Sequence, residues 1–243
     1  MDAPISVYAK YVPLRVSTTY IDEKGVSQNI DADVVTDATD APVTWGTASE
    51  TSWYVVTGKD VKLSQGSICA GHVNLILADG AKLTATGADD KPGIEVSGEG
   101  NSLTIYGYTN QSGQLIAIGG ANAAGIGGGN AAAGSNITIY GGVITANGGE
   151  NASAIGSGNG GDAASNIFVA TSFVVKADGN NPPTTVIAAT RTATTDIAAD
   201  LAGQRYATIE KGTNAQEPKV DETGITVNGR KYGFPVRLVK EVK

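Results

Sequence analysis

The chain is poor in the side chains that do chemistry. Of 243 residues one is cysteine, one histidine and one methionine, and Asp, Glu, Lys and Arg together make up 17%. A single cysteine excludes an intrachain disulfide. Cys69 sits in the apolar run Ser67-Ile68-Cys69-Ala70, which reads as a small buried residue rather than a reactive thiol. One His and one Cys cannot build a zinc site. The net charge is −7 with no basic stripe, which argues against a nucleic-acid partner. No apolar run reaches the ~18 residues that a membrane-spanning helix needs, so no membrane insertion is expected. Leu-rich or Glu/Lys-rich helical sequence is scarce. The start Met1-Asp2-Ala3-Pro4 carries neither a charged nor an apolar export segment. Two readings stay open: Met1 replaces a removed signal peptide, or the chain is made without export, as a phage virion protein would be.

What the chain has is glycine, 33 residues of it, among Thr, Val, Ile, Asn and Ala. That mixture suits short strands joined by tight turns. Three motifs recur in fixed order. The first is Leu75-Ile76-Leu77, Leu103-Thr104-Ile105-Tyr106, Ile137-Thr138-Ile139-Tyr140 and Ile167-Phe168-Val169-Ala170. The second begins at Leu83, Leu115, Ile144 and Val175. The third is centred on Ile94, Ile126, Ile155 and Ile187. Successive third motifs are spaced 32, 29 and 32 residues apart. A weaker copy uses Tyr54-Val55-Val56, Val61-Lys62-Leu63 and Ile68.

Three short strands per repeat fit one coil of a parallel β-helix, each coil stacking on the last. No coil buries its apolar side alone, so neighbours must cover it. Leucine-rich repeats fit less well, since their period is shorter and their Leu/Asn signature is absent. The expected fold is therefore all-β: a right-handed single-stranded parallel β-helix of about five coils over 54–190. A small β-rich N-terminal cap is expected over 1–53 and a C-terminal cap over 191–243. In the first cap, Asp22-Glu23-Lys24-Gly25 reads as a hairpin turn, and Trp45 and Trp53 read as packing at the start of the first coil. In the second, 195–203 reads as a short helix, Ile225–Arg230 as an Asn-Gly hairpin, and 234–242 as a final strand. Asn136 and Asn166, each one residue before a first-motif strand, are placed to form a structural amide ladder.

Such a scaffold commonly carries polysaccharide lyases and hydrolases, which need a cationic base or paired carboxylates. Residues 101–149 contain no Asp, Glu, Lys, Arg or His, and no Arg occurs from 54 to 190. No catalytic residue, metal ligand or cofactor is assigned, and His72 reads as structural. Gly156–Asp162 resembles a calcium-binding repeat only once, so a tight turn is the better reading. Gly125-Ile126-Gly127-Gly128-Gly129 lacks the Lys-Ser/Thr of a phosphate loop. One feature points to binding. Tyr106 and Tyr140 occupy equivalent outward positions on adjacent coils, with Tyr108 nearby and Thr104 and Thr138 beside them. Two stacked rings offer a flat platform for the C–H face of a sugar. The competing reading is that a terminal segment or a partner chain covers these rings.

The runs Val73–Gly80, Asn101–Gly107, Ala124–Gly129 and Ile137–Ala146 resemble the glycine-rich β-helix modules of large surface proteins from gut-type bacteria, and Trp53-Tyr54-Val55-Val56-Thr57-Gly58 is similar to the start of such modules. The resemblance covers about residues 34–170. It implies a right-handed β-helix, extracellular display at the cell surface, and adhesion or binding of polysaccharide or host-surface glycan, with no catalytic residues to carry over. The expectation is thus a non-catalytic, secreted, glycan-binding adhesin module. The alternatives are a virion fibre or spike using the coil stack as a rigid rod, and less readily a polysaccharide-degrading enzyme. Self-association through the coil ends or the tail stays open.

Overall fold

The structure is a computed structural model, and it describes residues 13–170, 172–179, 186–188 and 196–212, with the strands at 219–221, 224–227 and 230–232. It is all-β. Contacts divide the chain after Lys211.

In the larger unit, β1 (Arg15–Ile21) and β2 (Ser27–Val34) form an antiparallel hairpin. Its turn is the expected one, closed by the Asp22 carboxylate, which accepts from the backbone N–H groups of Lys24 and Val26 at 2.9 and 2.8 Å. The repeats follow. They comprise β3 (Val43–Val56), β4 (Val61–Leu63), β5 (Ser67–Leu77), β6 (Lys82–Thr86), β7 (Ile94–Glu95), β8 (Ser102–Gly107), β9 (Gln114–Ile118), β10 (Ile126–Gly127), β11 (Ile137–Ile139), β12 (Val143–Asn147), β13 (Ile155–Gly156) and β14 (Ile167–Val169). The chain continues through β15 (Phe173–Asp178), β16 (Val186–Ala188), α1 (Ala198–Leu201) and β17 (Tyr206–Lys211). In the smaller unit, β18 (Lys219–Asp221), β19 (Gly224–Val227) and β20 (Arg230–Tyr232) make an antiparallel meander. The β19–β20 pairing is the hairpin expected there, while 234–242 lies outside the described residues.

Equivalent strands of successive repeats pair in parallel and in register. Leu103 faces Ile137, which faces Ile167; Leu83 faces Leu115, which faces Ile144; Ile94 faces Ile126, which faces Ile155. Alternation within each strand sends these residues inward, where they form one apolar interior with essentially no exposure. The stacking starts early: the first half of β3, Val43–Gly46, already pairs with β5, and the expected boundary at 53 falls inside β3. The Asn ladder is present. Asn166 Nδ2 donates to Asn136 Oδ1 at 2.9 Å, and Asn136 Nδ2 donates to the Asn101 carbonyl at 3.2 Å. Both side chains sit on left-handed backbone, φ +60 and +57, which Asn tolerates better than other non-glycine residues.

Three expectations are corrected. Ile68 is not the first member of the third row; Ser67 stands opposite Ile94, and Ile68 opposite Glu95. Val175 does not stack on Ile144. The strand β17 lies between them, antiparallel to both β12 and β15, so that Ile144 faces Ile209, which faces Val175. Finally, Ile187 does not continue the row of Ile94, Ile126 and Ile155, because β16 pairs antiparallel with β15 instead. The segment 197–205 takes that place, with Ile197 and Leu201 fully buried and Ala154 N–H bonded to the Gln204 carbonyl at 2.6 Å. The parallel stack therefore ends at the fourth copy of the first motif and the third copy of the other two.

Candidate functional site

The outward side of the first-motif strands carries the aromatic residues. Tyr106 and Tyr140 stack, ring centroids 5.6 Å apart and planes 28° off parallel. Trp53 stacks on the far side of Tyr106 at 5.6 Å and 23°. Sequence spacing alone does not show what lies over them. The β1–β2 hairpin folds across this side, placing Tyr20 4.7 Å from Tyr106 and 4.8 Å from Trp53. Beneath it Ala32, Val55 and Ile76 form a second apolar cluster with no exposure. The hairpin also hydrogen-bonds Thr18 to the Tyr108 hydroxyl. A terminal segment thus covers Tyr106 and Tyr108. Burial first, then the neighbouring Tyr20 and Tyr140, raises the Tyr106 phenol above its ordinary range.

Tyr140 is left at the uncovered end of the stack. It borders a cleft of about 280 Å³ together with Asp22, Glu23, Thr109, Gln111 and Lys211. Gln111 is held by its Oε1, which accepts from Gly142 N–H at 2.9 Å. Asp22 is fixed by its turn bonds and by Gln28 Nε2, which donates to Oδ2 at 2.9 Å. The Val26 N–H and then the Gln28 amide hold its carboxyl below the usual range, so it stays ionised. Partial burial, then the Glu23 carboxylate, raises the Tyr140 phenol, which stays a neutral donor at neutral pH. The cleft is therefore lined by the Tyr140 ring and the buried Phe173 ring, two carboxylates, an amide, the hydroxyls of Thr109 and Ser172, and one ammonium group. That set suits a ligand with an apolar face and a rim of hydroxyls.

No family model, no curated protein and no solved structure matches the chain. The site is therefore read from its own chemistry.

Of the five residues singled out from sequence, only Tyr140 borders the cleft. Thr104 and Thr138 pair with each other in an outward row running from Trp53 through Asn74 to Phe168. Tyr108 is spent on the hairpin. Tyr20, Asp22, Glu23 and Lys211 were missed, whereas Trp53, read as packing, packs against Tyr20 and Tyr106. Tyr20 had a legible signal, because it alternates with Val16 and Thr18 on one face of β1.

Two other places bear on chemistry. His72 Nδ1 lies 2.9 Å from Ser102 Oγ on the next repeat, a serine–imidazole pair that the sequence separates by thirty residues. Both side chains are at the surface, and no carboxylate bonds to that imidazole among the described residues, so nothing orients it as a base. A larger cleft of about 440 Å³ opens beside β3, near Asp33, Asp37, Trp45 and Tyr54. Three of its polar groups are engaged: Arg15 lies 3.7 Å from Asp33, Asp37 accepts from Lys62 N–H, and the Tyr54 hydroxyl accepts from Gly46 N–H. Trp45 is 2% exposed and offers no ring face, consistent with packing at the start of the stack. Among the described residues no three His, Cys, Asp or Glu side chains group to hold a metal ion.

Proposed function

We propose that the chain is a right-handed single-stranded parallel β-helix serving as a non-catalytic module, displayed outside the cell, that binds glycans at the Tyr140 cleft. The in-register parallel rows support the fold, since parallel strands joined by crossovers in one sheet are right-handed in nearly all proteins. The observation that carries the function is Tyr140: a ring braced from behind by Tyr106 and set beside a cleft with fixed hydrogen-bonding groups. The ring packs on the C–H face of a sugar, while Glu23, Gln111, Thr109 and Lys211 meet its hydroxyls. Hydrolysis would need, beside an ionised carboxylate, a carboxyl group able to hold a proton at neutral pH. Asp22 does not serve, because its turn bonds keep it ionised.

A glycan array run on the unaltered protein and on Tyr140→Ala tests this. The expected result is binding to at least one glycan class, weakened about tenfold or more by loss of the ring, in line with ~1.5 kcal/mol for a sugar–aromatic contact. Unchanged binding by the variant removes the site. Release of reducing or unsaturated sugar ends from a bound glycan removes the non-catalytic reading.

A further inference from the structure

The cleft lies where the repeat is broken. Two equivalent connectors lead from the first motif to the second: Tyr140–Gly142 between β11 and β12, and Ala170–Ser172 between β14 and β15. At their starts the repeats are in contact, with Ile137 facing Ile167 and Ala170 N–H bonded to the Ile139 carbonyl. At their ends they are a strand apart, because β17 stands between β12 and β15. Tyr140, Ala170, Ser172, Phe173 and Lys211 all border the cleft. It is the opening produced as β15 splays away, and Lys211 is the last residue of the strand that splays it.

The inserted strand is also a substitute for what would otherwise fill its place. Ile144 and Val175 are 31 residues apart, within the spacing of the regular repeats. Direct stacking of β15 on β12 would set Val175 over Ile144 and Ala177 over Ala146. β17 presents the same two kinds of side chain inward, Ile209 against Ile144 and Ala207 against Ala146, read in the opposite direction. The free edge of β12 thus has two partners in one chain that fill the interior alike, one parallel and one antiparallel.

We propose that β17 is a displaceable wedge: inserted, it opens the Tyr140 cleft; withdrawn, it lets β15 close onto β12 and shut the cleft. The binding part of this rests on the glycan reading above; the strand part does not.

Cysteine pairs in the full chain test it, at the outward positions Thr145, Thr208 and Lys176. Thr145→Cys with Thr208→Cys joins adjacent strands and crosslinks on oxidation. Thr145→Cys with Lys176→Cys spans two strand spacings, roughly 10 Å, too far for a disulfide. Adding Ile209→Asp places a carboxylate in the apolar interior and expels β17. The expected result is reversal: the 145–208 crosslink is lost, the 145–176 crosslink forms, and glycan binding falls at least tenfold. Retention of the 145–208 crosslink, or no 145–176 crosslink in a folded variant, overturns the wedge. Reversal with undiminished glycan binding overturns its control of the cleft. Reversal in a protein that binds no glycan in either state leaves the wedge standing and removes the proposed function. Should Ile209→Asp fail to fold, amide exchange on the unaltered chain decides. The 206–211 amides are expected to exchange together, about tenfold or more ahead of β9; equal protection overturns the wedge.

Discussion

Shortening Ile126 to alanine tests the shared interior most directly. The side chain has no exposure and stands in a row between Ile94 and Ile155. Truncation removes its branches beyond the β-carbon, and at about 0.8 kcal/mol per CH₂-sized group the lost transfer energy is roughly 2.4 kcal/mol. The site cannot collapse to recover the rest. Ile94 N–H is bonded to the Gly125 carbonyl and Ile126 N–H to the Ala154 carbonyl, so the repeats above and below are fixed at strand spacing. A cavity of partly relaxed walls brings the total to about 3–4 kcal/mol, mid-range for large-to-small core changes. Urea unfolding followed by the emission of Trp45 and Trp53 reads it, with the midpoint falling and the slope unchanged. Ile118→Ala, at an outward half-buried position on β9, is the control and costs under ~1 kcal/mol. A cost below ~1 kcal/mol for Ile126→Ala would mean that Ile126 does not pack between its neighbours, and the stacked interior would have to be given up.

Two further perturbations follow from buried or capped groups. Partial burial opposes ionisation of Asp196, but the N–H groups of Ala198, Ile167 and Asn166 outweigh it and hold the carboxyl below its ordinary range. A lowered folded pKa gives stability that is present at neutral pH and is lost as pH falls through that lowered value. The urea midpoints of the unaltered chain and Asp196→Asn should therefore differ at pH 7 and converge below about pH 4; a constant gap refutes the assignment. Burial pushes the Cys69 thiol up, so little thiolate forms in the folded chain. Labelling by a thiol reagent should be on the order of a hundredfold slower than in urea, and fast native labelling refutes the burial.

Most of the stack was legible because three independent signals agree on it. The motif order, a recurring spacing of 34 residues from Leu103 to Ile137 and 32 from Ile94 to Ile126, and the inward alternation each place Leu103 beside Ile137 and Ile94 beside Ile126, and the pairings follow. Ile68 misled because the run Ser67-Ile68-Cys69 offers two phases, and hydrophobicity favours the wrong one. The structure puts Ser67, a buried polar residue, in the row of isoleucines. The Tyr106–Tyr140 pair was legible for the same reason as the stack, since one period separates the two rings. Their cover was not. Tyr20 reaches Tyr106 through the packing of a hairpin that belongs to no repeat, and no spacing relates the two.

The strand β17 shows where periodicity runs out as a guide. A repeat is recognised by reading in one direction, and Tyr206-Ala207-Thr208-Ile209 matches none of the motifs that way. Read backwards it is Ile-Thr-Ala-Tyr, the pattern of Ile144-Thr145-Ala146-Asn147. The interior distinguishes only which side chains point inward and how large they are, so a reversed strand fills a row as well as a forward one. The backbone does not distinguish them strongly either, since antiparallel pairing is at least as stable per residue. Whether the fourth copy of the second motif continued the stack was therefore a competition between β15 and a reversed copy some thirty residues later. The wedge proposed for β17 rests on this same ambiguity: β17 occupies the contested edge between β12 and β15, and its last residue, Lys211, borders the cleft beside Tyr140.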